Sequence, residues 1–192
     1  IFGLYKDCLN FNSNIDSINK LNMISAGYIL YSSSIHLVFY LDRIVYHFIY
    51  DEYKKDFILF INKIKIPNKG NIYSINEAKI NNFKSYHKNF IDELKQKDYT
   101  SRYHGCLVAD FHNILINGGI FMYPKDIKNN KNKLRLLYEA KPLAKIIEHC
   151  GGICMNENNN INNIKLNKID DNTSLYFGSI ENINEFKDFK NK

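Results

Sequence analysis

Apolar residues recur along the chain in two patterns, helical stripes and short continuous runs. Leu107, Val108, Phe111 and Leu115 fall on one side of a helix that opens after Gly105 and stops at Gly118-Gly119. A second stripe, Leu143, Ala144, Ile146 and Ile147, follows Pro142, a residue suited to a first helical turn, and ends at Gly151-Gly152. Between these helices, Lys133 to Glu139 has the alternation of a strand. Lys133, Arg135, Leu137 and Glu139 share one face, and Leu134, Leu136 and Tyr138 share the other. As a strand, this segment holds its terminal charges roughly 20 Å apart. Phe57 to Ile61 and Ile64 to Ile66 are expected to be adjoining strands. The apolar run Met23 to Leu41 is broken by Ser25, Ser32, Ser33, Ser34 and His36, and Asp42-Arg43 follows at once. It is therefore expected to be a buried helix through Ala26-Gly27-Tyr28 and then a strand, not a membrane span. Alternating strands and helices give an α/β class. Pro67-Asn68-Lys69-Gly70 is a turn-rich boundary between residues 1–66 and 71–192, and no internal repeat is visible.

Composition adds little that is specific. The chain has 192 residues, 45% apolar and 24% charged, in the range of a globular protein with a real core. Its net charge of +6 is spread over the whole sequence, with no basic helix and no basic-aromatic alternation. Asn-Lys runs such as Lys128 to Asn132 and Asn156 to Asn163 are expected loops. They inflate the lysine count, so the charge gives no support to a nucleic-acid partner. Cys8, Cys106, Cys150 and Cys154 lack the paired spacing of a zinc site and are expected to be reduced thiols in a cytoplasmic protein.

The chemistry-bearing residues cluster between Arg102 and Glu139. Arg102 and Tyr103 place a guanidinium fork and a phenol beside a helix start, where backbone N–H groups can hold anionic oxygens. Glu139, before the Pro142 helix, stands on the side of a sheet where ligands bind in open α/β folds. Asp110 and His112 diverge by about 200° on a helix, which is poor geometry for sharing one ion. From spacing alone, the Lys133–Glu139 segment suits either a pocket for a doubly phosphorylated sugar and a divalent metal, or an edge strand with solvated charges.

Several segments together resemble the class I fructose-1,6-bisphosphatase family. They are Ile1-Phe2-Gly3-Leu4-Tyr5, Ala26-Gly27-Tyr28 with Leu30-Tyr31, and Gly70 to Glu77, followed by Gly118 to Pro124, Lys133 to Glu139 and Gly178-Ser179. The resemblance covers nearly the whole chain. It implies the C-terminal portion of a layered α/β/α/β/α sandwich, with residues 1–66 ending an N-terminal phosphatase domain, 67–70 a linker and 71–192 a sugar-phosphate-binding domain. It also implies hydrolysis of the 1-phosphate of fructose 1,6-bisphosphate with Mg²⁺ or Mn²⁺, in a homodimer or homotetramer. Its phosphate contacts are carried over onto Asn76, Arg102, Tyr103 and Tyr123, with Lys79 standing where the family has a tyrosine. Lys133, Gly105 and Leu107 match sugar contacts, and Glu139 matches a catalytic metal ligand. The family's other metal carboxylates precede the residue matching Ile1, so this chain alone is expected to be inactive. Sedoheptulose-1,7-bisphosphatase and a non-catalytic sugar-phosphate-binding subunit are the alternative readings.

Overall fold

Ser32, Ser33 and Ser34 turn the chain back on itself, and that turn decides the first third of the fold. The computed structural model describes residues 1–6 and 14–191; Cys8 lies outside them. Ser32 Oγ donates to the Ser34 carbonyl at 2.8 Å and closes a hairpin between β2 (Met23–Tyr31) and β3 (Ile35–Leu41). The expected helix through Ala26-Gly27-Tyr28 is therefore a strand, registered from Ser25↔Leu41 to Tyr31↔Ile35. The misreading has a physical cause: the middle of β2 is covered on both faces, and its run of consecutive apolar residues has lost the alternation of a half-exposed strand. With β1 (Phe2–Tyr5), β4 (Ile44–Asp51) and β5 (Asp56–Ile61) it forms a five-stranded antiparallel meander in chain order. A short helix, α1 (Ile15–Asn19), precedes β2. Ile64 and Ile66 are buried as loop residues, not as a strand. Their N–H groups bond to the Val45 and Cys150 carbonyls at 3.0 Å, so the chain leaves the sheet and packs under it.

A second five-stranded sheet is built from β6 (Ile72–Ser74), β7 (Thr100–Ser101), β8 (Ile120–Tyr123), β10 (Ile153–Met155) and β12 (Leu175–Gly178). Its order is β10-β12-β8-β6-β7, with β6 parallel to both β7 and β8 and the remaining pairs antiparallel. The last strand of the chain is thus interior to the sheet. Two helices, α3 (Leu107–Asn117) and α4 (Lys141–His149), fill the space between the sheets. Phe111, Ile114, Leu115, Leu143, Ala144, Ile146 and Ile147 share one core with Tyr28, Val38 and Val45 of the first sheet and Phe121 and Phe177 of the second. On the far side of the second sheet, α2 (Ser85–Gln96) and α5 (Ile180–Lys190) cover Tyr73, Ile120, Met122 and Tyr176 with Phe90, Leu94, Ile183 and Phe186. The layers run sheet, helices, sheet, helices. On the outer face of the first sheet, Phe39 stacks on Phe48 at 5.6 Å beside a half-buried Tyr46, with no helix of the described residues over them.

The Lys133–Glu139 segment departs from the expected strand. Only β9 (Leu134–Arg135) is extended, paired with the equally short β11 (Asn172–Thr173). Leu136 to Ala140 then coil into a π-helical turn that runs directly into α4. Leu136 and Ala140, four apart, are both buried, and the Glu139 carboxylate accepts the Arg135 N–H at 2.6 Å. Helical burial and this local bond override the alternation. Glu139 stands one turn before α4, not at the end of a strand.

Candidate functional site

Because β6, β7 and β8 run parallel, their carboxyl ends open on the same edge of the second sheet, the place where α/β sheets hold ligands. Asn76 and Lys79 follow β6, Arg102 and Tyr103 follow β7, and Tyr123 ends β8. Asn76, Lys79, Tyr123 and Lys133, with Phe83, Met122 and Pro124, wall a cleft of about 240 Å³. A neighbouring recess of about 150 Å³ is lined by Tyr103, Gly105, Leu107, Asp110, Tyr123 and Lys133. Tyr123 and Lys133 belong to both, so the two form one continuous groove. The Asp126 carboxylate, also on the cleft wall, is turned onto the Asn129 N–H at 3.0 Å and the Asn82 amide at 3.2 Å. The groove thus offers three lysines, two phenols and three amides, a donor set suited to phosphate and hydroxyl oxygens.

Local structure positions these groups. Gly105 has φ +74°, a left-handed conformation that lets the chain turn from Tyr103 into α3. Burial raises the Tyr103 phenol above its ordinary range, and Tyr123 and Asp110 add to the rise. A hydrogen bond with Asn76 and the Lys133 charge oppose it. The phenol is therefore protonated near neutrality and able to donate. Asp110 lies at the base of the recess and is almost wholly buried. Its Oδ1 accepts from Ser74 Oγ at 2.8 Å and from His104 N at 3.0 Å, fixing the 102–107 loop against β6. Its Oδ2 is buried without a partner among the described residues.

Two expected site residues lie elsewhere. Arg102 is exposed, outside the groove walls, and Nη1 bonds the Ser101 carbonyl at 3.1 Å. Glu139 is half-buried and also outside those walls.

The profile of the fructose-1-6-bisphosphatase C-terminal domain matches residues 66–191. The chain belongs to the fructose-1,6-bisphosphatase family. It is 40% identical over 173 residues to the chloroplastic fructose-1,6-bisphosphatase of Spinacia oleracea, covering 88% of this chain and 42% of that protein. Against fructose-1,6-bisphosphatase 1 of Rattus norvegicus it is 39% identical, covering 100% of this chain and 55% of the relative. The crystal structure of Leishmania major fructose-1,6-bisphosphatase in the T-state superposes with a TM-score of 0.89 at 36% identity, over 97% of this chain and 62% of that one. The chain spans about half the length of the curated relatives it matches.

The fructose-1,6-bisphosphatase resemblance implies a divalent metal, and Glu139 is suited to a share of that task. Its Oε2 is engaged by the Arg135 N–H, which fixes the carboxylate, and the group supplies the hard oxygen that such cations take. Among the described residues, Glu139 belongs to no group of three metal-ligating side chains. Two further features escaped sequence reasoning. Asp110 was weighed only as an ion ligand, although a carboxylate on a stripe otherwise apolar is a signal of a buried anchor. A trio of histidines, His36, His47 and His112, has ring nitrogens within 4.8 Å of one another. It became visible only once Met23 to Leu41 proved to be a hairpin.

Proposed function

We propose that this chain is the sugar-phosphate-binding part of a fructose-1,6-bisphosphatase, a phosphoric monoester hydrolase that removes the 1-phosphate of fructose 1,6-bisphosphate. The convergence of Asn76, Lys79, Tyr103, Tyr123 and Lys133 on one groove at the carboxyl ends of parallel strands carries this reading. Asn76, Tyr103 and Tyr123 hold the 6-phosphate. Lys79 takes the tyrosine's part as a point charge. Lys133 and the backbone at Gly105 and Leu107 hold the sugar. The exposed Arg102 reaches the groove of a neighbouring subunit in a cytoplasmic homodimer or homotetramer.

Glu139 is one of the carboxylates that would hold Mg²⁺ or Mn²⁺, and a bound cation there would stabilise the charge that develops on the reacting phosphate. The remaining carboxylates belong to the N-terminal part of the enzyme. Two substitutions in the full-length enzyme separate these roles. Lys133→Ala removes a cation from the groove and is expected to raise KM about ten-fold, since a charged hydrogen bond contributes roughly 1.5–3 kcal/mol. Glu139→Gln replaces a charged metal ligand by a neutral one and is expected to remove most turnover at saturating Mg²⁺. Phosphate release over a range of substrate concentrations measures both, and near-normal kinetics in the two variants would defeat the proposal.

A further inference from the structure

The trio His36, His47 and His112 is built by the sheet and the helix packed on it. His36 on β3 and His47 on β4 are diagonal neighbours, because His47 pairs with Val38 and His36 with Ile49. Both point to the inner face, where α3 brings His112 against them, and the ring centroids lie 5.0–5.2 Å apart. The β4–β5 register breaks between His47 and Phe48, and a bulge of this kind re-aims the side chain beside it.

Three imidazoles packed together, His47 buried and His36 and His112 half-buried, are a poor choice for stability alone. His36 Nδ1 and His47 Nε2 share a proton at 2.9 Å, yet His47 Nδ1 is buried with no partner. His112 Nδ1 is engaged by the Tyr28 hydroxyl at 2.8 Å, while its Nε2 makes no hydrogen bond among the described residues. When Nδ1 donates to that hydroxyl, the lone pair of Nε2 is free to face the other rings. An outer partner of this type orients ligand histidines in metal sites.

We propose that His36, His47 and His112 form a zinc site that pins α3 to the first sheet, with the Tyr28 hydroxyl orienting His112. Imidazole nitrogen suits Zn²⁺ and the neighbouring borderline ions, not Mg²⁺, which takes oxygen. Tetrahedral coordination with Zn–N bonds near 2.0–2.1 Å needs nitrogens about 3.4 Å apart. Ligand atoms within 4.8 Å reach that spacing by small ring rotations. Water takes the fourth position. It has an approach from the groove that runs along α3 past Ala109, His112 and Asn113, which is about 520 Å³ in volume. Each ring keeps one proton on the nitrogen turned away from the metal, so the one sheet histidine that donates across the His36–His47 bond changes tautomer and the net charge of the ligands is unaltered.

The test uses chelator-stripped protein, dialysed against Zn²⁺ and, separately, titrated with Co²⁺. The expected result is one tightly held Zn²⁺ per chain and the intense visible bands of four-coordinate Co²⁺. His36→Gln, at a half-exposed position that tolerates change, is expected to weaken Zn²⁺ binding by about tenfold or more. Its circular dichroism should match the parent, and Glu139→Gln should bind Zn²⁺ as the parent does. Absence of retained Zn²⁺ in the parent overturns the site. So does equal retention by the parent, His36→Gln and His112→Gln. None of the three histidines lines the Tyr123–Lys133 groove, so this outcome and the kinetics of Lys133→Ala are independent of each other.

Discussion

His87 is buried completely on α2, with Nδ1 against the Lys84 carbonyl at 3.2 Å and Nε2 against the Tyr176 hydroxyl at 2.8 Å. One neutral tautomer satisfies both contacts, with Nδ1 donating and Nε2 accepting. Burial pushes its pKa down to about 4, outweighing the Lys84 carbonyl and Glu157, which favour the charged ring. The unfolded chain binds this proton near pH 6.5 and the folded chain resists it until about pH 4. The contribution of His87 is therefore present above pH 6.5 and lost as the pH falls between those values, to the extent of about 3 kcal/mol. His87→Gln, which can still accept from Tyr176, is expected to flatten the fall of melting temperature between pH 7 and 4.5. Thermal melts at several pH values check this, and parallel curves for the two proteins would assign the acid sensitivity elsewhere. At this scale the sequence was informative about residue types and poor about surroundings. Asn76, Tyr103, Tyr123 and Lys133 come from the family resemblance, not from their own spacing, and they line one groove. The orphaned Oδ2 of Asp110 and the histidine trio depend on which elements pack against which, and no local pattern records that.

Among the elements, the two helices between the sheets were legible in full. The stripe at Leu107, Val108, Phe111 and Leu115 gives α3, and Leu143 to Ile147 gives α4 with Pro142 in its first turn. Both stripes are wide and end at glycines, signals that tertiary contacts have no cause to override. β2 and the Lys133–Glu139 segment were misread for opposite reasons. The first hides its alternation under burial on both faces, and the second shows an alternation that its two-residue partner strand cannot use. Gly118-Gly119 does more than end α3. Gly119 has φ +113°, and a Cβ there would stand 2.2 Å from the Ile72 carbonyl oxygen, inside the parallel β6–β8 pair. Gly119→Ala thus combines backbone strain with a clash against main chain and is expected to cost about 3 kcal/mol or more. Denaturant unfolding measures it, and a loss under about 1 kcal/mol would mean that the strands separate at little cost.

For the whole molecule, the meander exposes the consequence of spanning half the length of its relatives. Phe39, Tyr46 and Phe48 form an aromatic patch on the outer face of the first sheet. Under the proposed function, the family's fifth layer covers this patch in the complete enzyme. The purified 192-residue chain is expected to release no phosphate from fructose 1,6-bisphosphate at any Mg²⁺ or Mn²⁺ concentration, since under the proposed function Glu139 is the one ligand carboxylate for that metal among the described residues. It is also expected to self-associate through the patch. Coupled phosphate assays and light scattering test the two parts, and metal-dependent hydrolysis by the isolated chain would refute the first.

The position of β12 inside the second sheet sets a schedule for biosynthesis. β8 is made more than fifty residues before β12 (Ile120 against Leu175), yet β12 is the strand that must lie beside it. Until then β8 presents an unpaired edge, open to any other extended chain. Gly70, at the start of this half, waits still longer, because its N–H and carbonyl are both held by Asn182 at 2.9 and 3.0 Å. At roughly 5–20 residues per second, the ribosome leaves that edge unprotected for several seconds. A nascent chain stalled before Leu175 therefore holds four strands of a five-stranded sheet that it has no means to close, which makes it a natural client for a chaperone and a poor candidate for folding as it emerges.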